Sequence, residues 1–475
     1  MNAIVNIEHR KKLVIVGNGM VGHHCVEQLI ERGALRHFEL HVYGEEWQPA
    51  YDRVHLSEYF AGKDAHALAL GEPGLYERHG VKLHLGVEVL EIDREQREIV
   101  TRSGRQPYDQ LILATGSYPF VPPIPGSEGS ARLVYRTLDD LDAIRDAAAQ
   151  ARRGVVVGGG LLGLEAANAL KSLGLEAHVV EFAPRLMPVQ LDSDGGAALK
   201  AQIEALGVGV HLSRVDPGDR RRRTVPLPDE FRRRRVSRNR PDRLLRRHSP
   251  ARPAGTQQRP GNSPPRGGIV IDSHCQTSDP TISAIGECAS WNGSVFGLVA
   301  PGYSMARNVA TRLAGDTAET FNGADMSTKL KLLGVDVGSI GDAHGATPGA
   351  RSYRFIDEAN SAYRRLVVDA EGKKVIGAVL VGDNSYYDTL LQYVQNAIAL
   401  PQDPAGLILP LSDGAPALGA DALPETATIC SCHNVTKGAI CCAVDAGCSD
   451  LSELKAHTRA ATGCGGCSAL LKQVF

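Results

Sequence analysis

The sequence predicts an α/β protein built on two β-α-β units, followed by a small α+β unit and a compact helical module at the C-terminal end of the 475 residues. Three observations carry this. A β-branched run leading straight into a G-x-G-x-x-G turn occurs twice, at residues 13–22 and 154–163. Residues 327–383 alternate apolar and polar side chains, the period of half-buried strands. Two close cysteine pairs, Cys430/Cys432 and Cys464/Cys467, bracket the end of the chain.

In the first unit, Leu13-Val14-Ile15-Val16 reads as a buried parallel strand. Gly17 makes the tight turn, Gly19 lets the backbone approach a pyrophosphate, and Gly22 lets helix pack on strand. Phosphates would sit at the helix N-terminus, where free N–H groups point and the dipole favours anions. Val26, Leu29 and Ile30 recur at helical spacing, and a second strand, 39–43, runs into Gly44-Glu45. Glu45 lies 23 residues past Gly22, near the spacing of about 20 for a ribose-binding carboxylate. An ordinary glycine turn is the alternative, and the repeat of the motif argues against it.

Short strands follow at 82–85, 88–92 and 98–101. Residues 111–116 form a further strand running into the small-residue turn Ala114-Thr115-Gly116, and 119–126 reads as a proline-rich crossing linker. The second unit has the strand 154–157, the turn Gly158-Gly159-Gly160-Leu161-Leu162-Gly163, a helix over 164–173 and a strand 177–180 ending in Glu181. Two dinucleotide fingerprints imply two cofactors. Glu181 fits a free ribose 2′-OH, hence NADH over NADPH, while the nearby Arg185 weighs the other way.

A net charge of −2 gives no general attraction to polyanions, so no nucleic-acid partner is expected. No apolar run reaches the roughly 18 residues of a membrane span, and the N-terminus lacks the apolar core of a signal peptide. The expected location is the cytoplasm. Seven of the ten cysteines fall from Cys430 onward, which points to a metal site over a disulfide framework. Four thiolates in two close pairs suit Zn²⁺ or a [2Fe–2S] cluster. Cys441, Cys442, Cys448, Cys25, Cys275 and Cys288 read as small core residues. His55 and His79 read as surface or packing residues, and no side-chain general base is expected.

Residues 214–266 break every pattern. They hold 17 Arg, no Lys, 9 Pro and 5 acids, a net charge of 17 − 5 = +12. Nothing there presents an apolar face, so disorder is expected. A basic arm for an anionic partner is a second reading. After the break come a strand at 267–271, a helix at 303–313, the alternating strands, a helix at 386–400 and a Pro/Ala/Gly-rich linker.

The two fingerprints, the Ala114–Gly116 turn, and Thr277-Ser278-Asp279-Pro280 leading to Ile285-Gly286-Glu287-Cys288-Ala289 resemble flavoprotein reductases of the glutathione-reductase fold. Within these, PAYDRVHLS at 49–57 and the terminal cysteines resemble the large-subunit family of assimilatory NAD(P)H nitrite reductases. The likeness covers 12–215 and 267–475. It implies FAD at Gly17, Gly19, Met20, Gly22, Glu45, Val89, Ala114, Thr115, Gly116 and Glu287. It implies NADH at Gly158, Gly160, Gly163 and Glu181. The C-terminal pairs resemble the bacterioferritin-associated-ferredoxin module, which implies a [2Fe–2S] cluster on Cys430, Cys432, Cys464 and Cys467. A basic residue stands in related reductases where this chain has Glu58, so no role carries over there.

The implied domains are 1–147 and 267–325 for FAD, 148–215 for the first half of the NAD unit, 216–266 aberrant, 326–400 the small α+β domain, 401–428 a linker and 429–475 the cluster module. The family needs later NAD-domain strands within the aberrant stretch, ending in Ala-Gly-Ile-Arg-Pro. Arg246-Arg247-His248-Ser249-Pro250 can be encoded CGC CGG CAT TCG CCC G, and dropping the first base gives that pentapeptide. A pair of compensating frameshifts near Val215 and Arg266 is therefore a third reading, and the one favoured. The implied activity is electron input: hydride from NADH to flavin, then single electrons to the cluster. A downstream sirohaem domain or separate reductase subunit would be the acceptor, and a homo-oligomer the assembly. The cysteine spacing for a sirohaem centre is absent, so a truncated C-terminus is expected. The alternatives are an electron-transfer subunit of an assimilatory nitrate reductase, or an inactive fragment. No cysteine pair near the FAD half has redox-disulfide spacing, which disfavours a disulfide reductase.

Overall fold

The computed structural model describes residues 10–121, 132–212, 267–409, 423–430, 433–462 and 465–475. At its centre Lys11–Val16 lies within a parallel sheet of order Ile282–Ala284, Gln110–Leu113, Lys11–Val16, Phe38–Tyr43, Lys82–His84. Helices cover both faces of such a sheet, so Leu13, Val14 and Ile15 are all fully buried and apolar without alternation. Ala284 pairs beside Leu113, so chain on either side of the aberrant stretch meets in one sheet. The helices Met20–Glu31 and Val299–Leu313 pack together, and Gly302 permits it: a Cβ there would stand 2.5 Å from Val21 Cγ2. A small antiparallel sheet, Val89–Asp93, Glu98–Thr101 and Gly104–Pro107, flanks this core.

The second unit has three parallel strands among the described residues, in the order Gly209–Leu212, Glu176–Glu181, Arg153–Val157. Its apolar core does not close on itself. Val179, Leu199 and Ile203 share a cluster with Val335, Val337, Tyr363, Val379 and Val381 from a five-stranded antiparallel sheet. The opposite face of that sheet, with Ile340, Leu366, Ala378 and Leu380, packs on the helix Tyr387–Gln395. Asp192 locks the junction. It caps the helix Ser193–Ala205 at Gly195 N–H and accepts from Tyr363 Oη at 2.7 Å and Arg365 Nη1 at 2.9 Å.

The helix expected at 303–313 begins four residues earlier, at Val299. The one expected to reach 400 stops at Gln395, just before Ala397 at φ +50°. The sequence reading missed the helices Leu138–Ala148 and Ser193–Ala205, although each carries its start signal: a Thr137/Asp140 capping box and an Asp192 cap. The aberrant segment 216–266 and most of the linker, 410–422, lie outside the described residues. Among the described residues no helix is long and apolar enough to cross a membrane.

Candidate functional site: two glycine cradles and a cysteine module

The two fingerprints adopt the same local geometry. Gly17 has φ +113° and Gly158 φ +120°, values that side chains rarely adopt. A Cβ on Gly22 would lie 2.0 Å from Gly17 O, and one on Gly163 would lie 1.9 Å from Gly158 O. Gly19 and Gly160 cap their helices with no side-chain hydrogen bond, and no atom lies within 4 Å of a Cβ position on either. Each turn thus holds open space over free helix N–H groups, which suits a pyrophosphate. The surroundings differ. A Cβ on Gly17 would stand 2.2 Å from Ala114 O, whereas one on Gly158 would meet nothing within 4 Å.

Ala114 extends the strand beside Val16, donating to its carbonyl at 2.8 Å, and Gly116 follows in the left-handed region. Glu287 faces the guanidinium of Arg136 at 3.6 Å, and Arg136 also borders Gly116. Glu45 accepts from Tyr118 Oη at 2.9 Å. Its neighbour Glu46 accepts from Tyr51 Oη at 2.7 Å and pairs with Arg53. Val89 is half-buried against the same core. Met20 opens the fingerprint helix but packs toward the C-terminal module. Arg53, Tyr118 and Arg136 were assigned no role from sequence. Residues 49–57 did stand out as a block, but only folding shows that Arg53 closes on Glu46.

In the second cradle Glu181 accepts from Gly159 N–H at 2.5 Å and Ala183 N–H at 2.7 Å, so its carboxylate sits beside the glycine turn. Arg185 donates to Leu191 O at 2.9 Å and Pro188 O at 3.3 Å and is held in its own loop. That removes the residue which weighed toward NADPH. Glu165, two residues past Gly163, faces the first unit, where His55 Nδ1 is 2.7 Å from Asp52 Oδ2. Burial pushes the Glu165 carboxyl up to about 7.

In the C-terminal module a hairpin, Thr428–Cys430 and Val435–Thr436, precedes the helices Lys437–Asp445, Leu451–Thr458 and Ser468–Val474. Cys430 is 2% exposed within the module's apolar cluster, and Cys467 packs against the same cluster from the start of the last helix. Cys432 and Cys464 lie outside the described residues. The turns carrying the two pairs are tied together by Thr462 Oγ1 and His433 Nε2 at 3.2 Å. Cys430 and Cys467, one from each pair, thus border one apolar cluster, and thiolates are ligands that suit a soft-metal centre. Cys25, Cys275 and Cys288 are core residues, as read, and burial pushes the Cys25 thiol up to about 12. Cys442 corrects the reading: its helix turns Ile440 and Ala443 inward and leaves it exposed, while Cys441 is half-buried and Cys448 packs half-buried against the module's apolar cluster.

Residues 11–218 match the family described as pyridine nucleotide-disulphide oxidoreductase, 327–398 the rubredoxin NAD+ reductase C-terminal domain, and 428–475 the BFD-like [2Fe-2S] binding domain. The nitrite reductase [NAD(P)H] large subunit of Klebsiella oxytoca is 54% identical over 98% of this chain and 48% of its own. The chain belongs to the pyridine nucleotide-dependent flavoprotein oxidoreductases, and over nearly its whole length it is similar to part of the nitrite reductase large subunits. It spans about half the length of those relatives. The assimilatory nitrate reductase electron transfer subunit of Bacillus subtilis is 33% identical over 98% of this chain and 59% of its own. NADH:rubredoxin oxidoreductase of Clostridium acetobutylicum shares the fold, with a TM-score of 0.63 at 21% identity over 83% of this chain and 97% of that one. The matches carry the cofactor set of the family: FAD, NADH and a [2Fe–2S] cluster.

Proposed function

We propose that this chain is the electron-input portion of a nitrite reductase, taking hydride from NADH onto FAD and passing electrons to a [2Fe–2S] cluster. The carrying observation is the joint arrangement: two open glycine cradles and a cysteine module packed against the helix of the first. In this reading the N–H groups of residues 19–22 hold the FAD pyrophosphate. Glu45 binds the adenosine ribose, Val89 and Ala114–Gly116 contribute to the FAD site, and Glu287 lies by the flavin's ribityl–pyrophosphate. Gly158, Gly160 and Gly163 hold the NADH pyrophosphate, and Glu181 takes the ribose hydroxyls. Cys430, Cys432, Cys464 and Cys467 ligate the cluster. When bound, the flavin converts a two-electron hydride into single electrons, chemistry that belongs to the cofactor. The chain's own work is to hold each group, orient it and exclude water.

A sirohaem-bearing domain or a separate reductase subunit is the proposed acceptor, in a cytoplasmic homo-oligomer. The Bacillus relative favours a second reading, electron supply to a nitrate reductase. The two part on which terminal reductase takes electrons from the purified chain. Residues 216–266 are proposed to be frameshifted, which is consistent with the family match ending at residue 218. Reading the gene in the neighbouring frame tests this, and failure to recover apolar strands there ends it. For the main proposal, purified protein is expected to be yellow, to release FAD on denaturation, and to contain about two iron and two sulfide per chain. A folded, colourless preparation that cannot be reconstituted with FAD, or one containing zinc, overturns it.

A further inference from the structure

We propose that Arg459, His433, His24, Tyr303, Glu27 and Glu31 form a fixed seat through which the cysteine module takes electrons from the flavin unit. The inference rests on the proposed function and adds to it a docked geometry and the residues that hold it.

Three observations support the seat. First, the module's apolar core is completed by the flavin unit. Leu423, Ala427, Ile429, Cys430, Leu454 and Leu471 share one buried cluster with Tyr303, and Met20, Val21, Val299 and Ala300 pack against it. Met20 and Val21 directly follow Gly19, so the module rests on the helix end that would hold the FAD pyrophosphate. Second, three rings bridge the join. His24 stacks on Tyr303 with centroids 4.1 Å apart, and His433 stands 5.7 Å from His24 and 6.1 Å from Tyr303. His433 directly follows Cys432, so this bridge ends at a proposed cluster ligand. Third, one guanidinium clamps the two bodies. Arg459 terminates the helix Leu451–Thr458 at φ +61° and reaches Glu27 Oε2 at 3.0 Å and Glu31 Oε2 at 3.4 Å, one turn apart on the fingerprint helix. Glu27 also meets His24 Nδ1 at 3.2 Å, which joins the clamp to the ring stack. Burial alone would raise the Glu27 carboxyl, but the His24 hydrogen bond and Arg459 outweigh it and hold it down to about 2.

A linker of more than a dozen residues would let a tethered module sample many positions. A module seated in one of them needs no search before each transfer. With both groups bound, each event would move one electron from reduced flavin to oxidised cluster, and the flavin N–H proton released with it would pass to solvent; the seat itself only holds the two bodies in place.

The test uses the full chain with Arg459→Glu, the double variant Arg459→Glu/Glu27→Arg, Tyr303→Leu and Tyr303→Phe. Hydrogen exchange of residues 20–31 reads the seat with or without cofactors. Flash photoreduction of bound flavin, followed at the cluster's visible band, reads transfer, and redox titration reads both potentials. Arg459→Glu and Tyr303→Leu are expected to raise exchange in 20–31 and slow transfer about tenfold, with both potentials unchanged. The double variant recovers most of the loss, and Tyr303→Phe keeps the wild-type rate. Unchanged exchange and unchanged transfer in Arg459→Glu overturn the seat. A preparation lacking flavin and iron overturns the proposed function instead, and the exchange arm still decides the seat.

Discussion

In the first β-α-β unit the strand before the glycines, Lys11–Val16, has a parallel neighbour on each side; in the second, Arg153–Val157 has one among the described residues. The burial of equivalent residues follows. Val14 is 0% and Val16 9% exposed, while Val155 is 37% and Val157 44% exposed. The glycine turns themselves match closely in dihedral angle and close contacts. Local sequence is thus sufficient to build the cradle, while enclosure depends on strands that arrive from far along the chain. In the first unit those strands are Gln110–Leu113 and Ile282–Ala284. In the second, the chain after Leu212 enters a stretch with 17 Arg and 9 Pro, which offers no apolar face.

The largest effect that would sharpen this contrast is at the turns. Gly17→Ala adds a methyl 2.2 Å from a backbone carbonyl at a positive φ, whereas Gly158→Ala meets the strain alone. Gly17→Ala is expected to cost about 3–5 kcal/mol and the bound flavin, and Gly158→Ala about 1–3 kcal/mol with flavin retained. Thermal unfolding and flavin content measure both. Equal losses would mean that enclosure by Ala114 contributes nothing.

Next in size is the hydride step. With one side of the second cradle's strand unpaired among the described residues, NADH is expected to reduce bound flavin about 10²-fold more slowly than in a chain whose reading frame is restored across 216–266. Anaerobic stopped-flow of the two proteins decides it. Rapid reduction in the unrepaired chain would show that the open edge does not matter. In the repaired chain NADH should be preferred over NADPH through Glu181, with Arg185 held by its own loop.

A smaller effect separates matched positions on the two helices. His24 and Glu165 each lie two residues past the last glycine of their fingerprint. His24 meets Tyr303 and the cysteine module, while Glu165 is half-buried toward His55 with its carboxyl raised to about 7. An ordinary glutamate carboxyl titrates near 4.5, so between 4.5 and about 7 the folded chain holds a proton that the unfolded chain has lost. Stability from this group is therefore full below 4.5 and falls as pH rises through 7, by at most about 3–4 kcal/mol. Glu165→Gln should flatten the dependence of melting temperature on pH between 5 and 8 and melt higher than the parent at pH 8. Parallel profiles would place Glu165 in water.

Much of this was readable in the chain because the signals are local. The glycines, the strands before them and the cysteine pairs each declare themselves within a dozen residues. What escaped was long-range. The Arg136–Glu287 pair spans the aberrant stretch, and Arg459 reaches Glu27 across 432 residues. Alternating strands over 327–383 were expected, but not the five-stranded sheet they form or its role as the floor of the second unit. Val335, Val337 and Val381 read as ordinary strand residues until Leu199 and Ile203 are seen packed on them. The exposure of Cys442 was missed for a related reason: composition marks cysteine as a core residue, and only the phase of its helix shows which way it faces.

The finest test is a pair of conservative substitutions at equivalent strand positions. Val14→Thr puts a hydroxyl where the side chain is fully buried in an apolar cluster, which should cost about 1–3 kcal/mol. Val155→Thr and Val157→Thr place the same hydroxyl within reach of water and should stay within about 0.5 kcal/mol of the parent. Thr is β-branched like Val, so strand propensity is preserved and the difference reports burial alone. Denaturant unfolding of the three variants measures it. If Val157→Thr costs as much as Val14→Thr, then something covers that strand in solution, and residues 213–266, which follow the last described strand of the unit, are the first candidate. The two units would then be equally enclosed, and both the frameshift reading and the expected weakness of NADH reduction would fall together.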